Sequence, residues 1–340
     1  MNVHDIPMVL FTVLSQTAVG TFITLGLIQN LMAPRHDPQR LKRVLSPILY
    51  AIGPILVLGL AVSMLHMNDI THTFNVIRHW DSSWLSREIL FGVGFAAFGF
   101  LFALLEWFEK GSYRLRQVIA VITALLGVGL LTAESMIYYS LITVPAWHSP
   151  AVPFQFFATA GLLGVLTVSA ALMITAWVRN KAANTDKPTP KGGSEPDTDA
   201  PGGGLKLQIR TRVAEINAPT TVDEWELTLK LLKILAFAGA LIAVAILVFY
   251  PVYITSLAMG GAAAQASAAV FSGALFWIRL ILVATTAILL GFFVYRMAGD
   301  PKRSNLAALT TLVVVTLVLA LSGEFLGRML HYLAMVRVGL

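Results

Sequence analysis

The chain has 340 residues, of which 57% are hydrophobic and 12% are charged, and its mean hydropathy is +0.76. Soluble domains carry roughly 25% charged residues, so this composition excludes an ordinary soluble fold. The chain contains no cysteine, which excludes thiolate-bound iron–sulfur clusters, cysteine-bound zinc, disulfides and cysteine nucleophiles within it. We therefore predict an all-α integral membrane protein.

Apolar runs long enough to cross a bilayer occur along the whole chain. A spanning helix needs about 20 mainly apolar residues. The run 234–278 lacks any charge and is too long for one span, and we expect Pro251 and the small residues of 259–264 to divide it. Eight spans are predicted, near 8–32, 44–66, 88–106, 117–142, 153–178, 230–254, 271–295 and 306–333.

The basic residues indicate how these spans are oriented. Seventeen Lys and Arg lie in the first, third, fifth and seventh connectors, whereas the second connector and the C-terminal tail together hold three. The positive-inside rule places the richer side in the cytoplasm. We therefore expect both termini on the outer (periplasmic) side, and the formal charge of +6 needs no nucleic-acid partner to explain it.

The connector between spans five and six divides the chain. Its first part, 185–204, is rich in Pro, Gly and charged residues, a composition typical of disordered linkers. We expect residues 1–179 to hold spans one to five, 180–228 to be a partly disordered cytoplasmic linker, and 229–340 to hold spans six to eight. We further expect the eight helices to pack as two four-helix halves.

Charged side chains within the spans mark candidate sites, because each costs at least about 2.5 kcal/mol at the bilayer centre. In span eight, Glu324, Arg328 and His331 are four and then three residues apart, which places them on one helix face. The predicted outer halves of the spans contain three carboxylates (Glu88, Glu134 and Glu324) and two guanidiniums (Arg279 and Arg328). Most of these charges could form ion pairs, and the remaining acid could accept or donate protons. Ion pairs and a proton route both remain open for Glu134, Arg279, Glu324 and Arg328.

His66 and Glu88 flank the second connector on the predicted outer side. A quinol releases protons as it is oxidised, and a histidine or a carboxylate is a suitable acceptor. The structural alternative is that His66 marks a helix end and Glu88 caps the N-terminus of span three, where a negative charge suits the helix dipole.

Aromatic residues gather on the same side of the membrane. We expect most of them to form an interfacial belt and a minority to line a headgroup pocket. They are Trp80, Trp84, Tyr138, Tyr139, Trp147, Tyr250 and Tyr253.

Several short motifs resemble one family. The opening 4–16, His-Asp-Ile-Pro-Met-Val-Leu-Phe-Thr-Val-Leu-Ser-Gln, is similar to that of the membrane-anchor subunits of anaerobic dimethyl sulfoxide reductases, the DmsC type. The stretches 63–66, 85–89 and 143–147 match in the same order, and 323–328 resembles the closing motif. The sequence departs from the family in 68–75, where the family commonly has Ser-Pro and then a basic residue, and His72 stands near that basic position.

The resemblance implies an eight-helix anchor, with no haem, iron–sulfur cluster or other metal of its own, in the cytoplasmic (inner) membrane of a bacterium or archaeon. Such an anchor binds menaquinol as its substrate and docks an iron–sulfur subunit and a molybdopterin catalytic subunit on its outer face, so it supplies the quinol-oxidation site without reducing the terminal acceptor. The family's quinol-site histidine falls on His66 and its acidic partner on Glu88. Candidates for the quinol pocket are Gln16, His66, His72, Arg78, Trp84, Glu88, Tyr138 and Arg328.

Three alternatives remain open. The protein could anchor a related tetrathionate or polysulfide reductase, since the catalytic subunit selects the acceptor. It could hold a b-type haem, for which His66 and His331 are the one plausible pair, and a reduced-minus-oxidised spectrum would reveal the haem. It could be a proton-coupled secondary transporter, but the internal repeats and broken helices typical of transporters are not evident in the sequence.

Overall fold

The computed structural model describes residues 6–64, 79–184, 203–300 and 305–339, and all regular structure within these ranges is helical. These ranges include a 3₁₀ turn, Val270–Ser272, and a π-helical turn, Leu289–Val294. The helices are α1 (Ile6–Met32), α2 (Pro38–Met64), α3 (Trp84–Trp107), α4 (Tyr113–Tyr139), α5 (Ala151–Asn184), α6 (Gly203–Asn217), α7 (Val222–Ala258), α8 (Ala262–Ala269), α9 (Ala274–Ile288), α10 (Tyr295–Met297) and α11 (Leu306–Leu333).

Eight stretches of the described chain are long and apolar enough to cross a membrane: α1 to α5, α7, the continuous segment from α9 to α10, and α11. This confirms the predicted number of spans, and the chain is a multi-pass membrane protein. The helices extend past the apolar runs; α7, for example, begins at Val222, eight residues before the predicted start of that span. Side chains of Ser83, Ser112, Thr221 and Asn305 cap the helices that follow them and so define where those helices start.

The long uncharged run is divided at a different place from the one predicted. α7 continues through Pro251 as far as Ala258, and the next helix starts at Ala262. The expectation that Pro251 helps to break this run is therefore wrong. A proline is tolerated within a membrane-spanning helix whose neighbours supply alternative contacts, and the break falls instead at Gly260 and Gly261, which favour a turn.

The segment predicted as a linker contains helix as well. α5 extends to Asn184, α6 occupies Gly203–Asn217, and α7 begins at Val222. Arg179 Nε donates a hydrogen bond of 2.6 Å to the Ile216 carbonyl oxygen, which fixes the end of α6 beside the end of α5. The Pro- and Gly-rich residues 185–202 lie outside the described ranges.

α5 is the central helix of the bundle. A Cβ on Gly20 would lie 1.8 Å from the Ala160 carbonyl oxygen, and one on Gly164 would lie 2.2 Å from the Gly20 carbonyl carbon, so α1 and α5 pack backbone against backbone. Small residues permit this approach between membrane helices. One hydrophobic cluster unites α5 with parts of α1 to α4 and the start of α7, and a second unites it with parts of α7, α9 and α11 and with Val13 and Tyr138.

Contacts between connectors distinguish the two ends of the bundle. At one end the Trp147 indole donates 2.8 Å to the His331 carbonyl oxygen, so the loop after α4 meets the end of α11. At the other end Arg43 Nε lies 2.7 Å from Glu224 Oε1, which joins α2 to α7. We call these the Trp147 end and the Arg43 end.

Candidate functional site

A buried glutamine connects three helices near the Trp147 end. Gln16 of α1 is completely buried; its Nε2 donates 3.1 Å to Glu134 Oε2 on α4, and its Oε1 accepts 3.0 Å from Arg328 Nη2 on α11. Ser15 Oγ donates 2.5 Å to the other Glu134 oxygen. Since an amide has one donor side and one acceptor side, Gln16 can link a carboxylate to a guanidinium, as it does here.

An ion pair lies next to this link. Arg279 Nη2 of α9 is 3.5 Å from Glu324 Oε2 of α11, and both side chains are 2% exposed. Thr159 Oγ1 of α5 donates 2.5 Å to the same carboxylate oxygen. A Cβ at Gly327 would lie 2.2 Å from Arg279 Cζ, so the guanidinium crosses α11 at a glycine. We call the whole group the polar cluster: Ser15, Gln16, Glu134, Thr159, Arg279, Glu324 and Arg328.

The polar cluster and the neighbouring His331 have unused hydrogen-bonding capacity. Within the described residues, five of their buried polar atoms lack a hydrogen-bond partner: Arg279 Nε and Nη1, Glu324 Oε1, Arg328 Nε and His331 Nε2. Buried polar atoms in proteins are nearly always satisfied by protein or by ordered water. The cluster can therefore bind water or a polar ligand atom. No group of three His, Asp or Glu in the described ranges could hold a metal ion.

Glu88 lies one turn into α3. The residue that caps this helix is Ser83, whose side chain accepts from the Ser86 backbone N–H at 3.3 Å, so the alternative in which Glu88 is the cap is wrong. Glu88 is 8% exposed and interacts electrostatically with Glu134 of α4. It has no ion-pair partner among the described residues, so this buried carboxyl group near the polar cluster is not neutralised by a cation there.

Aromatic side chains enclose His331 above the polar cluster. Its ring stacks on Trp147, with 5.2 Å between ring centroids, and meets Tyr138 edge-on at 4.8 Å. The Tyr138 and Tyr332 hydroxyl oxygens are 2.6 Å apart, and Arg328 Cζ lies 3.6 Å over the Phe156 ring. The cluster is therefore closed by aromatic rings on the side that leads to the Trp147 end.

The prediction of a mainly interfacial aromatic belt is wrong for four of the seven residues. Trp147, Tyr138, Tyr250 and Tyr253 are buried inside the bundle. The loop after α4 folds inward against Tyr138 and Tyr253, and Tyr250 packs against Phe276. The Tyr253 hydroxyl donates 2.9 Å to the Ala146 carbonyl oxygen within that loop.

The structure brings some predicted site residues together and not others. Gln16, Glu88, Tyr138 and Arg328 lie in or beside the polar cluster, whereas the Trp84 ring packs 4.2 Å from the Arg87 guanidinium carbon. The predicted residues His66, His72 and Arg78 lie outside the described ranges. Ser15, Thr159 and Tyr332 were not among the predicted site residues. Hydroxyl groups in apolar helices are a weak signal, since their partners across the bundle cannot be read from the sequence.

Comparison with known proteins identifies relatives for the first half of the chain. The family model described as "DMSO reductase anchor subunit (DmsC)" matches residues 1–185. Over 172 residues the sequence is 34% identical to a protein of the anaerobic dimethyl sulfoxide reductase of Escherichia coli K12, covering 49% of this chain and 59% of that protein. Over 173 residues it is 27% identical to a protein of the anaerobic dimethyl sulfoxide reductase of Haemophilus influenzae, covering 51% and 60%.

A further relative, matched over a shorter stretch, belongs to a different enzyme. Over 136 residues the sequence is 28% identical to a protein of the sulfite dehydrogenase of Allochromatium vinosum, covering 36% of this chain and 42% of that protein. The match thus spans about three fifths of the length of the first two relatives and less of the third.

The matched region contains α1 to α5, and with them Gln16, Glu88 and Glu134. Arg279, Glu324 and Arg328 lie beyond it, and the hydrogen bond from Arg328 to Gln16 connects the two parts of the chain. Since the family model covers more than half of the 340 residues, this multi-pass membrane protein belongs to the DmsC family, the anchor subunits of dimethyl sulfoxide reductase.

Proposed function

We propose that this protein anchors a molybdopterin-dependent reductase in the cytoplasmic membrane and oxidises menaquinol near its Trp147 end. Family membership supports the anchor role. The distribution of Lys and Arg supports an orientation in which the Arg43 end faces the cytoplasm. Since the family resemblance implies that the partner subunits dock on the outer face, they dock at the Trp147 end. These partners are an iron–sulfur subunit, which receives the electrons, and a catalytic subunit, which selects the terminal acceptor.

The observation that carries this proposal is the buried carboxyl group of Glu88. Oxidation of a quinol releases two electrons and two protons; the electrons pass to an iron–sulfur cluster of the partner subunit, and each proton needs an acceptor within hydrogen-bond reach. Glu88 is buried, has no cation paired with it among the described residues, and lies where the resemblance places the acidic partner. We assign one proton to Glu88 and the other to His66.

The hydrogen bonds of the polar cluster support different roles for the two neighbouring carboxyl groups, Glu134 and Glu88. Both oxygens of Glu134 accept hydrogen bonds, from Ser15 and Gln16, and donors of this kind stabilise the ionised form of a carboxyl group. The amide of Gln16 is in turn held by Arg328. Glu134 is thus held in place by its hydrogen bonds, whereas Glu88 has no ion-pair partner among the described residues and is left to receive a proton.

The remaining charges have a more structural role. Arg279 and Glu324 form a direct ion pair that joins α9 to α11, and the geometry supports pairing as their function. The unpartnered nitrogen and oxygen atoms around them could hold water, so a proton path from the Glu88 region through the cluster remains part of this proposal.

One test of this proposal is to replace His66 in the assembled complex. We expect His66→Ala to abolish reduction of the partner's iron–sulfur cluster by quinol while the complex still assembles, because one proton acceptor is lost. His148→Ala is the matched control, since His148 is exposed at the same end of the bundle. Normal quinol turnover in His66→Ala would refute the assignment.

The match to a sulfite dehydrogenase protein supports a second candidate function. In that case the same site would reduce quinone with electrons from the partner subunits, and a related sulfur oxidoreductase would be the catalytic subunit. Identifying the subunits that co-purify with this protein, and measuring quinol oxidation and quinone reduction side by side, distinguishes the two directions of electron flow.

A further inference from the structure

A groove lies between α1, α3 and α4 towards the Arg43 end, away from the polar cluster. Its volume is about 770 Å³, and its deep wall is apolar. The rings of Phe22 and Phe102 meet edge-on there, with centroids 5.8 Å apart. Gly26 faces open space, since a Cβ built on it has no heavy atom within 4 Å. The groove is therefore a real gap between helices that the side chains leave unfilled.

The length of the groove corresponds to one leaflet of a bilayer. Its lining on α4 runs from Tyr113 and Arg114 to Ala124, and the ten residues after Arg114 rise about 15 Å along a helix. This is about half of the roughly 30 Å hydrocarbon thickness. Leu27, Val118 and Val121 line the groove and are 58%, 54% and 57% exposed. The groove thus has the depth of an acyl chain and is open on its apolar side.

The mouth of the groove carries excess positive charge. Arg114 makes no ion pair or hydrogen bond with the described part of the chain. Arg116 Nη1 lies 3.4 Å from Glu106 Oε2, and its Nε is buried without a partner. The mouth thus has two guanidiniums and one carboxylate, and this net positive charge favours the binding of an anionic group. Basic pockets between membrane helices on the cytoplasmic side commonly bind phospholipid headgroups.

We propose that this groove binds one anionic phospholipid of the cytoplasmic leaflet. Arg114 and Arg116 hold the phosphate, and an acyl chain lies between α1 and α4 along the Phe22 wall and past Gly26. The site is independent of the proposed quinol chemistry, because it lies at the opposite end of the bundle and shares no residue with the polar cluster.

The first experiment measures the lipid that the full-length protein retains. Membranes containing phosphatidylglycerol are extracted in mild detergent, and bound phospholipid is quantified by native mass spectrometry. We expect the double variant Arg114→Gln/Arg116→Gln to bind phosphatidylglycerol roughly tenfold or more weakly, because two basic contacts are lost. Lys110→Gln removes a positive charge from the same connector without touching the groove and should retain lipid as the wild type does.

A second variant keeps the arginines intact. Gly26→Leu places a side chain in the open space, where its Cβ meets no heavy atom within 4 Å, so we expect it to displace the acyl chain while the melting temperature of the protein in detergent stays close to that of the wild type. This variant preserves the pair between Arg116 and Glu106 and so remains informative if the double variant folds poorly. Wild-type phosphatidylglycerol retention in Gly26→Leu would overturn the proposal. A stoichiometric quinone that Gly26→Leu removes, with retained phospholipid unchanged, would also overturn it.

Discussion

The bundle has a group of charged side chains at each end, and the two groups are built differently. At the Arg43 end, Arg43 Nε lies 2.7 Å from Glu224, and Arg179 donates to the carbonyl oxygens of Ile216 at 2.6 Å and Arg43 at 3.1 Å. Arg43 and Arg179 each have a partner there, and Arg43 is about one third exposed. At the Trp147 end the polar cluster is buried, and five polar atoms in it and His331 have no partner among the described residues.

This difference distinguishes the structural contacts at the Arg43 end from the candidate reaction site at the Trp147 end. A paired charge joins helices at little cost where one partner is still screened by water, as Arg43 is at the Arg43 end. Buried charges with unfilled hydrogen-bonding capacity are expensive and are retained mainly where function requires them. The comparison therefore supports chemistry at the Trp147 end and a fastening role at the Arg43 end.

The largest expected effect comes from removing one partner of the buried ion pair. Glu324→Ala leaves Arg279 buried and uncompensated, and we expect the free energy of unfolding to fall by about 3–5 kcal/mol. The matched control is Asp223→Ala, which removes an exposed partner of Arg40 at the other end and should cost about 1 kcal/mol or less. Equilibrium unfolding in detergent measures both, and equal losses would contradict the contrast between the two ends.

A smaller effect is expected where Arg279 crosses α11. In Gly327→Ala the new Cβ would lie 2.2 Å from the Arg279 guanidinium carbon, so the Arg279 side chain must shift, at a cost of about 1–3 kcal/mol. Gly323→Ala, whose Cβ would lie 3.4 Å from its nearest neighbour, is the control and should be tolerated. Thermal unfolding is measured for both variants. Similar melting temperatures would contradict this expectation, because the Arg279 side chain could then adopt another position without loss of stability.

The smallest effect is expected from loosening the Arg43 end. Thr221 caps α7, and its hydroxyl accepts from the Glu224 backbone N–H. Thr221→Ala should lower the free energy of unfolding by about 1 kcal/mol and leave quinol turnover by the complex unchanged. Reduced turnover with an intact complex would show that the Arg43 end contributes to the reaction.

The sequence predicted the number of spans because hydropathy depends on local composition alone. It also predicted one polar face on α11, because a helix has a fixed period. Contacts across the bundle were not predictable in this way: nothing in the sequence shows that Gln16 joins Glu134 to Arg328, or that Thr159 faces Glu324. The inward fold of Trp147 and the unbroken helix at Pro251 likewise depend on tertiary packing, which overrides local preference.

Quinol turnover in Glu88→Gln tests the central claim most directly. The substitution keeps the shape of the side chain and removes its ability to accept a proton. With the complex assembled and its iron–sulfur clusters intact, the account predicts that quinol-dependent reduction of the partner falls by a factor on the order of 10² or more, whereas Glu109→Gln, which loses its pairing with Lys42 at the Arg43 end, retains normal turnover. Equal quinol turnover in the two variants would contradict a role for Glu88 in the reaction.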